Sequence, residues 1–191
     1  MCEKLDAEKI LESEYVFKGR VVNVRLDKVL LQNQNISSRE IVEHTGGVCI
    51  MPIDSEGNVI FVRQYRSPFE KVIEELPAGK LEKGEEPLSC CIRELKEETG
   101  CTASKIYNLG EIYPSVGYTQ EVLYLFAATD LEFGEKHLDE NEFLQSYKIP
   151  LSKAFSMAVN GDLKDAKTVT AIMRYQMLNN CENLEKHKVI G

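Results

Sequence analysis

Residues 79–101 constrain this chain more than any other stretch. A helix is expected from about Pro87 to Thr99, with proline at the first turn, where it is tolerated, and Gly100 as the stop. Its apolar side reads Leu88, Cys91, Ile92 and Leu95. At 100° per residue, Glu94, Glu97 and Glu98 fall within about a 100° arc beside that side. Three carboxylates so close together repel, and each raises the pKa of the others, so something must compensate them. A solvated acidic face is the ordinary explanation of such a helix. Here, however, a loop carrying Glu82, Glu85 and Glu86 precedes it, and Arg93 stands four residues before Glu97, placed to orient it. Clustered carboxylate oxygens suit Mg²⁺ or Mn²⁺, hard cations often shared with substrate phosphates.

Charge supports a small anionic ligand over a polymeric one. The chain has 31 acidic against 23 basic side chains, a formal net charge of -8, which opposes a broad electrostatic grip on nucleic acid. An acidic protein can still hold a polyanionic small molecule when divalent cations lie between them. No apolar run approaches the ~18 residues of a membrane span, and the start, Met1-Cys2-Glu3-Lys4-Leu5-Asp6, has no basic, apolar leader, so a cytoplasmic location is expected. The 6 cysteines form no C-x-x-C pair and are expected as reduced, mostly buried thiols. At 191 residues the chain suits one domain with a small extension.

The periodicities fill in the rest. Asp6 to Ser13 reads as a short polar helix or frayed arm, and Tyr15 to Gln32 as β-rich, with Val22, Val24, Leu26, Lys28 and Leu30 on one parity. Asn33-Gln34-Asn35 reads as a hairpin turn leading to a strand over Arg39–His44. Val48–Ile53 and Val59–Tyr65 read as two strands of a central sheet, flanking the turn Asp54-Ser55-Glu56-Gly57-Asn58. Strands at about Lys105–Tyr113, Val122–Thr129 and Phe143–Ile149, with an acidic loop from Asp130 to Glu142, precede helices over Leu151–Asn160 and Asp165–Asn180. Mixed strands with helices packed around them give an α/β or α+β sandwich. The division expected is an amino-terminal β extension, 1–44, and a main domain, 45–191.

From Gly79 the chain reads Gly79-x5-Glu85-x7-Arg93-Glu94-Leu95-x-Glu97-Glu98-x-Gly100-Cys101. This resembles the signature box of the Nudix hydrolases at 9 defined positions over 23 residues, with a cysteine where the family usually has a bulky aliphatic residue. The resemblance implies an α/β/α sandwich with a mixed central sheet, and metal-assisted hydrolysis of a diphosphate linked to another group. It also implies that Glu94 and Glu98 are the principal metal ligands, with Glu97 and the Ala78 carbonyl as further ones. Arg93 then orients carboxylates, and Glu85 supports the loop.

The flanks resemble the bacterial ADP-ribose pyrophosphatases. They read Arg39-Glu40-Ile41-Val42-Glu43-His44, Val62-Arg63-Gln64-Tyr65-Arg66-Ser67-Pro68, Glu74-Glu75-Leu76-Pro77-Ala78-Gly79 and Asp165-Ala166-Lys167-Thr168. One departure is Ser115-Val116-Gly117, where that subfamily has a proline at the middle position. This keeps GDP-mannose or another sugar nucleotide as an alternative to ADP-ribose. A catalytically silent nucleotide-sensing module is the non-enzymatic alternative, opposed by the intact carboxylates. Arg66 offers forked donors to the diphosphate or a ribose. Arg39 and Glu40 can serve adenine by stacking and by accepting from its amine, with Phe17, Tyr15 or Tyr118 as stacking rings. A general base is expected on the acidic loop among Glu132, Glu135, Asp139, Glu140 and Glu142, because it lies on a segment able to move, and the resemblance favours Glu142. The roughly 30 residues before the main domain cannot bury enough surface alone. In the resembling enzymes this segment crosses a two-fold dimer, which implies a homodimer with exchanged strands and composite sites.

Overall fold

The computed structural model describes residues 7–136 and 143–191. They fall into two units: the residues up to Thr45 with Tyr113–Glu121, and Gly46–Ile112 with Val122–Gly191.

The first unit is an antiparallel meander of β1 (Lys9–Lys18), β2 (Asn23–Leu30) and β3 (Ile36–Glu43). The expected helix or arm over Asp6–Ser13 is a strand from Lys9 onward. Pairing with β2, Lys9 opposite Leu30 and Ile10 opposite Val29, gives this backbone partners that a lone polar helix would lack. The parity expected in β2 is also reversed, since Asp27 and Val29 are buried while Leu26 is exposed. Asp27 tolerates burial because Arg25 Nε and Ser13 Oγ donate to its Oδ1 at 2.8 and 2.7 Å. Those bonds hold its carboxyl below the usual range. The turn after β2 has Gln34 in the left-handed region at φ 68°. Segment 113–121 returns to β3: Val42 N donates to the Tyr118 carbonyl at 2.7 Å, and Gln120 N to the Val42 carbonyl at 3.1 Å. It carries Val116, which is 84% exposed.

The second unit contains β4 (Gly47–Pro52), β5 (Asn58–Arg66), β6 (Lys71–Glu75), β7 (Ala78–Lys80), α1 (Pro87–Thr99), β8 (Cys101–Ile112) and β9 (Leu123–Phe133). β10 (Leu144–Pro150), α2 (Leu151–Asn160), α3 (Ala166–Asn180) and β11 (Lys188–Ile190) complete it. The mixed five-stranded sheet runs β11-β8-β9-β4-β7, with β4 and β9 parallel. A second sheet runs β10-β5-β6. β4 and β5 were expected in one sheet, but both edges of β4 are taken by β9 and β7. The two strands therefore meet only in the bridge between Ile53 and Val59. The acidic loop after Thr129 begins later than its composition implies, because β9 extends to Phe133 against β8.

Every residue of β4 is buried, as expected for a strand covered on both faces. Cys49 and Met51 pack with Ala154 of α2 and Ala171 and Ile172 of α3. The alternate residues Val48 and Ile50 pack with Cys91 and Leu95 of α1. This is the α/β/α sandwich expected, and it fixes α1 against the β4 and β7 side of the sheet. Among the described residues no helix is long and apolar enough to cross a membrane.

Candidate active site

α1 begins at Pro87 and ends where Gly100 takes φ 73° and returns its N–H to the Lys96 carbonyl. Its buried positions are Cys90, Cys91, Glu94, Leu95, Glu98 and Thr99, a single stripe of spacing i, i+1, i+4, i+5. The apolar side expected from composition included Leu88 and Ile92, yet Ile92 is exposed. The helix is rolled by about one residue, so that Glu94 and Glu98 enter the protein in its place. Burying a carboxylate needs hydrogen-bonded or ionic partners, and each of these finds them.

Glu98, only 2% exposed, accepts from the Ala78 N–H on β7 at 3.0 Å. Glu94 lies directly against Gly79: a Cβ built there would come within 1.8 Å of the Glu94 carboxyl carbon. Only glycine permits that approach. β7 is itself placed by pairing with β4, Ala78 opposite Cys49.

Arg93 gathers the remaining charges. Its Nε and Nη2 form a fork on Glu85 at 3.0 and 2.9 Å, while Nη1 reaches Glu94 at 2.6 Å and Glu97 at 3.0 Å. Glu85 also accepts from the Glu82 N–H at 2.9 Å. The Arg93 hydrogen bonds, with help from that amide, hold the Glu85 carboxyl down at about 2. Glu85 is thus the anchor of the arginine. The Cys90 thiol, 3.3 Å from Arg93 Nη2, is pushed by burial up to about 12 and is no nucleophile.

The carboxylates of Glu94, Glu97 and Glu98 with the carbonyl of Ala78 make an all-oxygen donor set, suited to a hard divalent cation and not to a soft one. As placed, no three described His, Cys, Asp or Glu side chains close on one point. Arg93 occupies the space between Glu94 and Glu97 with its own positive charge. The donor set and the side-chain-free approach at Gly79 fit a cation such as Mg²⁺.

Of the other expected site residues, Arg66 belongs to the second unit and Arg39, Glu40 and Phe17 to the first. Arg66, at the end of β5, forms a fork on Glu75 through Nε and Nη2 at 2.6 and 2.9 Å. It lines a cavity of about 610 Å³ together with Phe69, Lys71, Lys164 and Lys167. Glu75 is 3% exposed, and nothing in its sequence neighbourhood distinguished it from Glu74, because its role comes from strand pairing. In the first unit, Arg39 is forked on Glu8 at 3.0 and 2.5 Å and Glu40 is exposed. As adjacent residues of β3 they point to opposite faces. Phe17 is exposed on β1, its ring lying over Gly19. Glu142 and its alternative Glu140 lie outside the described residues.

The NUDIX domain model matches residues 43–171, and the model of the nucleoside diphosphate sugar hydrolase N-terminal domain matches residues 8–42. The chain is 41% identical over 172 residues to an ADP-ribose pyrophosphatase of Bacillus subtilis, covering 89% of this chain and 93% of the relative. It is 40% identical to a methanol dehydrogenase activator of Bacillus methanolicus, covering 97% and 99%. A GDP-mannose pyrophosphatase of Yersinia pestis is 30% identical over 73% of this chain and 75% of its own length. Among solved structures, that of an ADP compounds hydrolase superposes with a TM-score of 0.82 at 24% identity, over 95% of this chain and 99% of that one, and so shares its fold.

Proposed function

The chain belongs to the Nudix hydrolase family, and from that premise we propose that it cleaves ADP-ribose to AMP and ribose 5-phosphate in the cytoplasm, using Mg²⁺, with Mn²⁺ as an alternative. The observation that carries this reading is the pairing of two buried carboxylates, Glu94 and Glu98, with a β7 corner that only glycine lets approach them. A silent sensing module has no use for so costly a cluster. Similarity to an ADP-ribose pyrophosphatase over most of both chains supports the choice of substrate.

In the reaction, water oxygen attacks one phosphorus of the diphosphate, the bridging P–O bond breaks, and the proton passes to a base. A bound divalent cation would supply positive charge to polarise the diphosphate and lower the pKa of water. Ala78, Glu94, Glu97 and Glu98 would hold it, and the Glu85-anchored Arg93 keeps Glu94 and Glu97 oriented. Arg66 presents Nη1, the nitrogen outside its fork on Glu75, to the diphosphate. Arg39, Glu40 and Phe17 contact the nucleoside from a second copy of the chain, in a homodimer that exchanges the amino-terminal strands. Glu142 is the base.

GDP-mannose is the second reading, supported by Val116 at the turn position and by the GDP-mannose pyrophosphatase relative. Incubation with Mg²⁺ and ADP-ribose, GDP-mannose, ADP-glucose, NADH and diadenosine polyphosphates, with product identification, tests both. ADP-ribose should give the highest kcat/KM, and a tenfold preference for GDP-mannose would transfer the assignment. Glu142→Gln should lower kcat strongly without changing Mg²⁺ affinity; retention of more than about a third of kcat moves the base to Glu140 or into the cluster.

A further inference from the structure

The first turn of α3 carries a lysine where a helix least favours one. Lys167 is the second residue of α3, at the end where the helix dipole is positive and repels a cation. Its side chain is also largely covered, at 13% exposure. Burial works against its charge, yet Asp165 and Glu75 hold its pKa above the ordinary lysine value. Lys167 Nζ reaches Glu75 Oε2 at 2.5 Å and Asp165 Oδ2 at 2.9 Å. With the Arg66 fork, this makes an alternating chain, Arg66–Glu75–Lys167–Asp165, of zero net charge.

Such a chain is a poor stabiliser, because apolar residues of similar volume usually do as well as a buried ion pair. What it does achieve is direction. Glu75 is held from both sides, so neither oxygen is free to rotate away from Arg66. The same helical turn grips the next residue too: Thr168 Oγ1 accepts from the Leu76 N–H at 2.8 Å across 92 positions of sequence, and Asp165 caps the helix by accepting from Thr168 N at 3.1 Å. The backbone carrying Glu75 is therefore fixed as well as its side chain. The guanidinium at the wall of the 610 Å³ cavity is thus forked on a carboxylate that is itself held in place.

We propose that Lys167 is a positioning residue for substrate binding, aiming Arg66 at the diphosphate through Glu75. This rests on the reading that Arg66 binds that diphosphate. A group that binds ground state and transition state alike acts on KM more than on kcat.

The test is a double-mutant cycle in the full-length enzyme with Mg²⁺ and the best substrate of the panel above. Lys167→Met should raise KM ~10-fold with kcat within ~3-fold, and Lys167→Arg should restore KM to within ~3-fold. Arg66→Ala should raise KM at least as much. The combination of Lys167→Met with Arg66→Ala should be no worse than Arg66→Ala alone, since a clamp with nothing to aim has no further effect. A merely structural lysine would lower the melting temperature and multiply with Arg66→Ala. If Lys167→Met does not fold, Glu75→Gln carries the same cycle with the same expectation. Multiplying effects, or an unchanged KM in Lys167→Met, overturn the role of Lys167 alone. An unchanged KM in Arg66→Ala overturns the diphosphate contact and the positioning together, and hydrolysis of no panel member overturns the proposed function with both.

Discussion

The α1 cluster and the β1 strand spend their polar and apolar groups in opposite ways. Around α1, acids that belong in water are buried, as Glu94 and Glu98 are, or half-buried, as Glu85 and Glu97 are, and each is answered: Glu98 by the Ala78 amide, Glu94 and Glu97 by Arg93, Glu85 by the same guanidinium. On β1 all ten residues are exposed, among them Ile10, Leu11, Tyr15, Val16 and Phe17, which belong in a core. The α1 cluster thus has its charges paired within itself, whereas β1 presents apolar surface of the kind that interfaces use. In an enzyme with both, the cluster should govern turnover and β1 the state of assembly.

The contrast breaks hardest at Glu98. Glu98→Gln keeps the shape and an acceptor for the Ala78 amide while removing the charge, so turnover should fall at least about 10²-fold with the melting temperature nearly unchanged. A melting temperature that falls in step with activity would show the carboxylate to be structural. Next in size is the strand. Val16→Asp with Phe17→Asp should weaken self-association at least about tenfold, read by light scattering across micromolar dilutions, while the fold of the second unit is retained. A monomeric wild-type protein at those concentrations removes the dimer.

How legible this division was in the sequence depended on where side chains meet. The ends of α1 and α2 were legible, because Pro87, Gly100 and Gly161 act locally on the backbone. The box was legible because its spacing is set by one helix and one corner. The roll of α1 was not, since Cys90 and Ile92 exchange places only when the carboxylates are drawn towards β7. Nor was β2, where a pattern of apolar residues points one way and the Asp27–Arg25–Ser13 bonds turn the other face inward. The short β7 has no periodicity to read, and β1 becomes a strand only through its register with β2. Of the site, the carboxylates of α1 were readable, but the Glu75–Lys167 connection joins residues 92 positions apart and leaves no local mark.

The smallest predicted effect concerns pH. The Glu85 carboxyl is held at about 2 in the folded protein against an ordinary 4.5, so it adds stability above about 4.5 that is lost progressively as pH falls towards 2. Glu85→Gln should flatten that part of an acid-unfolding profile and loosen Arg93, with only a severalfold loss of turnover at neutral pH. An acid limb identical to wild type would mean that Arg93 stabilises its other partners instead.

The parallel pairing of β4 with β9 also sets an order in time. α1 lies within the crossover between these two strands, so a chain emerging from the ribosome makes every carboxylate of the cluster before it makes β9. The corner at Leu76 then waits longer, until Thr168 arrives to accept its amide. Long-range closures of this kind are slow, and during the interval the acidic helix has only the earlier β4 and β7 to lean on. Synthesis that stops short of α3 should therefore leave a polypeptide with the whole signature and no activity, because the first turn of α3 is what sets the Leu76 corner in place.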